Sequence, residues 1–208
     1  MIRVLIADDH PIVRRGLRQI VADQADMNVT EAGDGPEALR LLDNGEFDVV
    51  LLDINMPGIS GLDVLSQIRA RQPRLPVLVL SAHPEAEFAV RILKAGASGY
   101  MNKELAPEEL VKAIRRVIGG RKYVSPAVAE LLAESVGKDE DDPHASLSDR
   151  EFQVMLLIAA GKTASEIADE IALSVKTVST YRARILEKMN LKNNAELMRY
   201  VIENKVGR

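Results

Sequence analysis

Val49-Val-Leu-Leu-Asp53 is a row of four branched aliphatic residues closed by one acid. A strand with one wet face alternates apolar and polar residues. A run without alternation has both faces covered, the condition of a strand inside a parallel sheet. Val77-Leu-Val-Leu-Ser81 has the same form, and Val4-Leu-Ile-Ala7 is followed at once by Asp8 and Asp9. Runs at residues 29–32 and 99–102 bring the set to five. Helical patterns lie between them, over residues 11–21, 36–44, 62–71, 86–95 and 107–118, several opening on Pro, Asp or Ser and closing near Gly. Five β-α units with short connections predict an α/β fold, a five-stranded doubly wound parallel sheet. Ligands of such sheets bind in the crevice beyond the strands' C-terminal ends. Asp8, Asp9, Asp53, Ser81 and Lys103 are therefore predicted to converge on one edge.

The chain has 208 residues, which suggests one or two domains, and 47% of them are hydrophobic, enough for real cores. Cys is absent, which excludes disulfides, thiolate metal sites and thiol nucleophiles. No apolar run approaches the ~18 residues a membrane span needs. Two acids stand where a signal peptide would still be apolar, so a cytoplasmic protein without a membrane partner is expected. The net charge of −4 is unevenly placed: −1 over residues 1–125, −5 over 126–145 and +2 over 146–208. The negative excess sits in Gly137-Lys-Asp-Glu-Asp-Asp-Pro-His144, which has no apolar anchor and reads as a solvated linker. The expected division is a first domain over residues 1–122, a short helix and the acidic linker over 123–146, and a second, all-α domain of four helices over 147–208. Those helices are expected at 148–160, 164–171, 175–190 and 195–204.

Asp8, Asp9 and Asp53 would put three negative charges into one crevice, and they cannot all stay ionised without compensation. Lys103 neutralises one. A divalent cation is the simplest remedy for the rest, and a site of oxygen ligands without Cys or His selects a hard ion, Mg2+. Asp53 is then a plausible nucleophile toward a phosphoryl group, with the cation and Lys103 neutralising the transferring oxygens and Ser81 donating a hydrogen bond. The competing explanation, that acids at strand ends merely cap the next helix, suits Asp9 before Pro11 but accounts poorly for five residues at successive strand ends. A haloacid-dehalogenase-type phosphatase would carry a second Asp two residues beyond the nucleophile, where this chain has Asn55. No P-loop and no Gly-x-Gly-x-x-Gly follows the first strand, which argues against a nucleotide-binding enzyme.

Asp8-Asp9, Asp53-Ile-Asn-Met-Pro-Gly58, Ser81-Ala82 and Lys103 resemble, in order and spacing, the response-regulator receiver family over about residues 1–120, a flavodoxin-like fold. The resemblance implies that Asp53 is the phosphoacceptor and that Asp8, Asp9, Asp53 and the backbone carbonyl of Asn55 surround Mg2+. It assigns Ser81 and Lys103 to the phosphoryl oxygens. Tyr100 falls at the family's aromatic switch position and would act with Ser81; plain core packing is its alternative. Asn55 and His83 fall at positions that face the pocket mouth and tune hydrolysis, although a lone His near a loop is more often an exposed bystander. The donor implied is a sensor histidine kinase or a small acyl phosphate. The protein itself would be no enzyme beyond its own phosphorylation and dephosphorylation.

In the second domain, residues 164–178 read as two helices around a tight turn at Leu173-Ser174. Winding residues 175–190 at 3.6 per turn sets Val178, Ile185 and Met189 on one face. Lys176, Thr180, Ala183 and Glu187 fall opposite, with Ser179 and Arg184 on the flanks. That outer face suits a helix entering a major groove, and Thr177, Arg182, Arg184 and Lys188 could reach phosphates. Arg182 falls nearer the apolar face and would have to snorkel. A generic helical bundle would look similar by charge alone. Leu147-Ser-Asp-Arg-Glu151, Gly161-Lys162, Glu166-Ile-Ala168, Ser174-Val-Lys-Thr-Val178 and Glu187-Lys-Met189, however, resemble the LuxR-type helix-turn-helix of the NarL/FixJ regulators, and Lys176-Thr-Val-Ser-Thr-Tyr-Arg182 their GacA/UvrY branch. In relatives the base-reading positions correspond to Ser179, Thr180 and Ala183, whose small side chains imply apolar or water-mediated contacts. The implied partner is double-stranded DNA with paired half-sites, bound by a homodimer formed on phosphorylation. Leu197, Tyr200 and Val201 are the expected dimer face.

Overall fold

Strands form where the aliphatic runs lie: β1 (Ile2–Ala7), β2 (Met27–Ala32), β3 (Val49–Asp53), β4 (Val77–Ser81) and β5 (Gly99–Asn102). The computed structural model describes residues 1–81, 86–103, 107–134, 143–171, 173–204 and 206; His83 and the acidic stretch 137–142 lie outside the described residues. The chain forms two compact units, Met1–Pro84 with Ala89–Pro126, and Ala127–Arg208 with Glu85–Phe88.

In the first unit all strands are parallel, in the order β2-β1-β3-β4-β5. Val4, Ile6, Val49, Leu51, Leu78 and Leu80 pack with Leu17 and Val21 of α1 (Pro11–Ala22) and Leu110, Ile114 and Val117 of α5 (Pro107–Ile118). The alternate residues Leu5, Val50, Leu52 and Val79 are buried as well and face the other side. There α2 (Gly35–Asn44) and α3 (Gly61–Arg71) contribute buried Ala38, Leu42, Leu65 and Ile68. A fourth helix, α4 (Ala86–Lys94), precedes β5. Neither face of the central strands is wet, which is the physical origin of their unbroken apolar runs.

Strand order reverses between β1 and β3, the switch point at which doubly wound sheets open a crevice. Ala7 pairs with Leu52, Asp53 with Leu80 and Ser81 with Asn102, so the strands finish nearly level. Beyond Asp53 the loop closes tightly. Gly61 N–H donates to the Ile54 carbonyl (3.1 Å), and a Cβ at Gly61 would overlap the Asp53 carbonyl oxygen. Only glycine fits there. The Ser60–Asp63 capping box then starts α3. At the sheet's far edge, Tyr123 N–H donates to the Ser98 carbonyl (2.9 Å) and its carbonyl accepts from Tyr100 N–H (3.2 Å), so backbone pairing runs to Tyr123, one residue past the expected limit.

The described helices of the second unit are α6 (Pro126–Glu134), α7 (Asp149–Ala159), α8 (Ala164–Glu170), α9 (Val175–Lys188) and α10 (Asn194–Glu203), with a 3-10 turn at Pro143–Ser146. Ser148, Thr163, Ser174 and Asn193 cap α7 to α10, each accepting a backbone N–H three residues on. The core is built from Leu147, Phe152, Met155, Ile167, Val178, Ile185, Leu197 and Val201.

Two expectations change here. Residues 143–146, read as linker, are folded: His144 Nδ1 lies 2.7 Å from the Tyr200 hydroxyl, and its ring packs against Phe152. Leu197 and Val201 belong to the domain's own core, so they cannot form a dimer face, and Tyr200 turns to His144. The apolar stripe of α10 satisfies the fold itself. The helix's outward stripe is Ala195, Arg199 and Ile202, with Ile202 54% exposed.

Lys188 ties the end of α9 to the start of α7, its Nζ 2.6 Å from Glu151 Oε2. Burial pushes the Glu151 carboxyl up, but the Lys188 bond and the Ser148 N–H and hydroxyl together outweigh it and hold the pKa below its ordinary value. A depressed carboxylate stabilises the fold above its unfolded pKa, and that contribution disappears as pH falls through the folded one. Lys188→Met is expected to destabilise this unit by about 1–2 kcal/mol at pH 7, because Glu151 is only 3% exposed whereas Lys188 is 40% exposed. The deficit should shrink as pH falls below the ordinary carboxylate value of 4.5. Hydrogen exchange of the α7 amides in the full chain measures it, and equal protection at pH 7 would show that the pair contributes nothing.

Candidate functional site

Asp8 follows β1 and is fully buried; Asp53 ends β3 at 1% exposure. The carboxylates are oriented locally. His10 N–H donates to Asp8 Oδ1 (2.8 Å) and Asn55 N–H to Asp53 Oδ1 (3.1 Å). The Asp8 carbonyl accepts from the Arg14 guanidinium (2.5 Å), which also reaches Glu31, so the loop after β1 is braced from α1 and β2. Lys103 N–H donates to the Ser81 carbonyl (2.8 Å), continuing the β4–β5 pairing and setting its side chain at the end of the sheet. Its Nζ lies 2.7 Å from both Asp8 Oδ2 and Asp53 Oδ2, at 11% side-chain exposure.

One ammonium thus bridges the acids of two strands. Asp9 is the outermost of the three, and His10 Nδ1 lies 2.8 Å from its Oδ1. Asp8 Oδ2, Asp9 Oδ1 and Asp53 Oδ2 are buried and receive no directed hydrogen bond; Lys103 and His10 approach them closely but off the hydrogen-bond direction. For Lys103 the short distances make these charge contacts rather than satisfied bonds. Three carboxylates facing one lysine leave negative charge for a cation to compensate, and ligand atoms of Asp8, Asp9, His10 and Asp53 all fall within 4.8 Å of one another.

Ser81 is fully buried at the end of β4, and Tyr100 is buried in β5. Asn55 is half-buried beside Asp53. His10 was not anticipated from the sequence. Its place directly after Asp8-Asp9, on the loop leaving the central strand, was the available signal. Gly61 was also missed, since a close backbone approach has no pattern in one sequence.

On α9, Val178, Ile185 and Met189 are buried while Lys176, Ser179, Thr180, Ala183 and Arg184 are exposed. The Thr180 hydroxyl donates back to the Lys176 carbonyl (3.0 Å). Three expected phosphate contacts are engaged elsewhere. Arg182 Nε donates to Asn194 Oδ1 (2.6 Å), Lys188 holds Glu151, and the half-buried Thr177 pairs with Ser174, hydroxyl to hydroxyl (2.7 Å). Helical winding predicted the difficulty at Arg182; the partners of the other two come from α7 and from the cap.

The response regulator receiver domain family matches residues 4–115, and the bacterial regulatory proteins of the luxR family match residues 145–201. The chain is 42% identical over 200 residues to response regulator GacA of Pseudomonas aeruginosa, covering 95% of this chain and 94% of that protein. It is 39% identical over 207 residues to response regulator UvrY of Escherichia coli K12, covering 98% and 95%. Among solved structures, RcsB of Salmonella enterica serovar Typhimurium bound to promoter rprA with a phosphomimetic is similar at a TM-score of 0.63 and 28% identity, over 96% of this chain and 97% of that one. With two family matches in the order of the two folded units, the chain belongs to the two-component response regulators, a receiver domain joined to a LuxR-type DNA-binding domain.

Proposed function

We propose that the chain is a phosphorylation-switched transcriptional regulator in which Asp53 accepts the phosphoryl group. The observation that supports this best is the meeting of Asp53, Asp8 and Lys103 at the switch point of the sheet. An Asp53 oxygen attacks phosphorus in a sensor kinase's phosphohistidine or a small acyl phosphate. A new O–P bond forms as the donor's N–P or O–P bond breaks, and the electron pair leaves with the donor. Lys103 exchanges its contact with the Asp53 carboxylate for one with a phosphoryl oxygen, and the Ser81 hydroxyl donates to another. Asp8, Asp9, Asp53 and the Asn55 carbonyl would hold Mg2+, which would supply Lewis-acid charge on the same oxygens. Tyr100, in the strand leading to Lys103, reports the change toward the rest of the receiver. Asn55, half-buried beside Asp53, tunes hydrolysis, and His83 is assigned the same role from the sequence alone.

Tyr123 closes the receiver, and Pro143 opens the DNA-binding domain. RcsB is a relative with a structure that carries a promoter, and this chain's α9 is read as the helix that enters the major groove. With its hydroxyl tied to Lys176, Thr180 offers its methyl outward beside Ala183, a pairing suited to thymine methyls; Ser179 supplies a hydroxyl. Lys176 and Arg184 contact phosphates. Phosphorylation favours a homodimer whose paired helices reach two half-sites, with the outward stripe Ala195, Arg199 and Ile202 of α10 as the contact between DNA-binding domains. No helix among the described residues is long and apolar enough to cross a membrane, and a cytoplasmic site of action fits a DNA partner.

Asp53→Asn should abolish labelling by a radioactive acyl phosphate; labelling at wild-type level would move the acceptor elsewhere. Arg184→Ala should flatten the plot of log affinity against log salt by about one, and an unchanged slope would remove it from the phosphate contacts. Ile202→Glu is expected to weaken binding to a two-site duplex at least about tenfold while a single half-site is bound as before. Equal loss on both duplexes would place the dimer contact elsewhere.

A further inference from the structure

A preference for magnesium rests on an all-oxygen donor set, and the folded pocket contains a nitrogen. His10 Nδ1 lies 2.8 Å from Asp9 Oδ1, 3.5 Å from Asp8 Oδ1 and 3.7 Å from Asp53 Oδ2. Its shortest approach is to Asp9, and the other two carboxylates each bring an oxygen within 4 Å of the same nitrogen. This nitrogen is turned toward a space that all three acids border. Donors around a six-coordinate ion with bonds of about 2.1 Å lie about 3 Å apart when adjacent and about 4.2 Å when opposite. Candidate ligand atoms of Asp8, Asp9, His10 and Asp53 fall within 4.8 Å of one another, so little movement would gather them around one ion. The backbone N–H of His10 is already fixed on Asp8 Oδ1, which holds the ring's starting point. Lys103 meets Asp8 and Asp53 at their Oδ2 atoms; His10 approaches the Oδ1 atoms of Asp8 and Asp9, and at Asp53 it faces the same Oδ2 as Lys103.

We propose that His10 is a metal ligand of this pocket and that it shifts the site's preference from Mg2+ toward borderline divalent ions of the first transition row. The proposal rests on the reading of the pocket as the receiver's cation site. Imidazole nitrogen binds such ions far better than it binds Mg2+, and affinity rises along the row from Mn2+ toward Cu2+. The ion held would then depend on which divalent metal is abundant, and the switch would respond to metal supply as well as to a phosphoryl donor.

Cobalt(II) is a suitable probe, because a coordinated imidazole shows a strongly shifted ring N–H resonance. The full-length chain, His10→Gln, and a variant carrying Asp8→Asn with Asp53→Asn would be titrated with Co2+ and with Mg2+ by calorimetry, and their NMR spectra recorded with Co2+. The expected result is one shifted imidazole N–H in the wild type that is lost in His10→Gln. Co2+ affinity should fall at least about tenfold in that variant and Mg2+ affinity less than about twofold. A Co2+ complex lacking the resonance, one that keeps it in His10→Gln through another histidine, or equal losses for both ions would overturn the role of His10 and leave the cation pocket standing. If the double Asp variant, with its helical circular dichroism intact, binds Co2+ as the wild type does, the ion lies elsewhere and the pocket reading falls too.

Discussion

Three carboxylates at the ends of two neighbouring strands repel one another, and holding them together constrains everything around them. Asp8 and Asp53 are essentially removed from water, where two like charges interact far more strongly than at the surface. Lys103 offsets part of that repulsion by touching both, and His10 faces the outer side of the cluster. The aliphatic strands keep the acids from separating. With both faces of β1 and β3 buried, sliding either strand to relieve the crevice would expose core residues to water.

This arrangement also explains how a local charge could be felt at a distance. Lys103 stands on β5's side of the sheet, yet its contacts are with residues following β1 and ending β3. Any group that claims its ammonium changes the balance across three strands at once. Ser81, whose carbonyl receives the Lys103 N–H, and Tyr100, three residues earlier, lie on the chain segments directly attached to that contact. A two-state element needs such a junction, where one new interaction replaces another instead of adding to it.

The DNA-binding unit uses part of its modest positive charge on itself. Arg182 and Lys188 tie α9 to α10 and α7, and these ties orient the helix whose outer face is left to small and polar residues. Lys176 and Arg184 remain exposed there. On the proposed reading, two such surfaces bound together would hold DNA far more strongly than one.

Unbroken aliphatic runs, acids at successive strand ends and caps before the C-terminal helices were all legible in the sequence, because each follows from local periodicity or from residue chemistry at a fixed offset. They sufficed for the parallel sheet, the acidic crevice and the helix-turn-helix. The sequence did not disclose that the apolar stripe of α10 faces inward, since one stripe serves a core or a partner equally well. Nor did it disclose that Lys188 answers Glu151, that Pro143–Ser146 folds back onto Tyr200, or that His10 joins the acids. Those facts depend on which side chains distant elements bring within a few ångströms of one another. Periodicity says that a face is buried; only packing says against what.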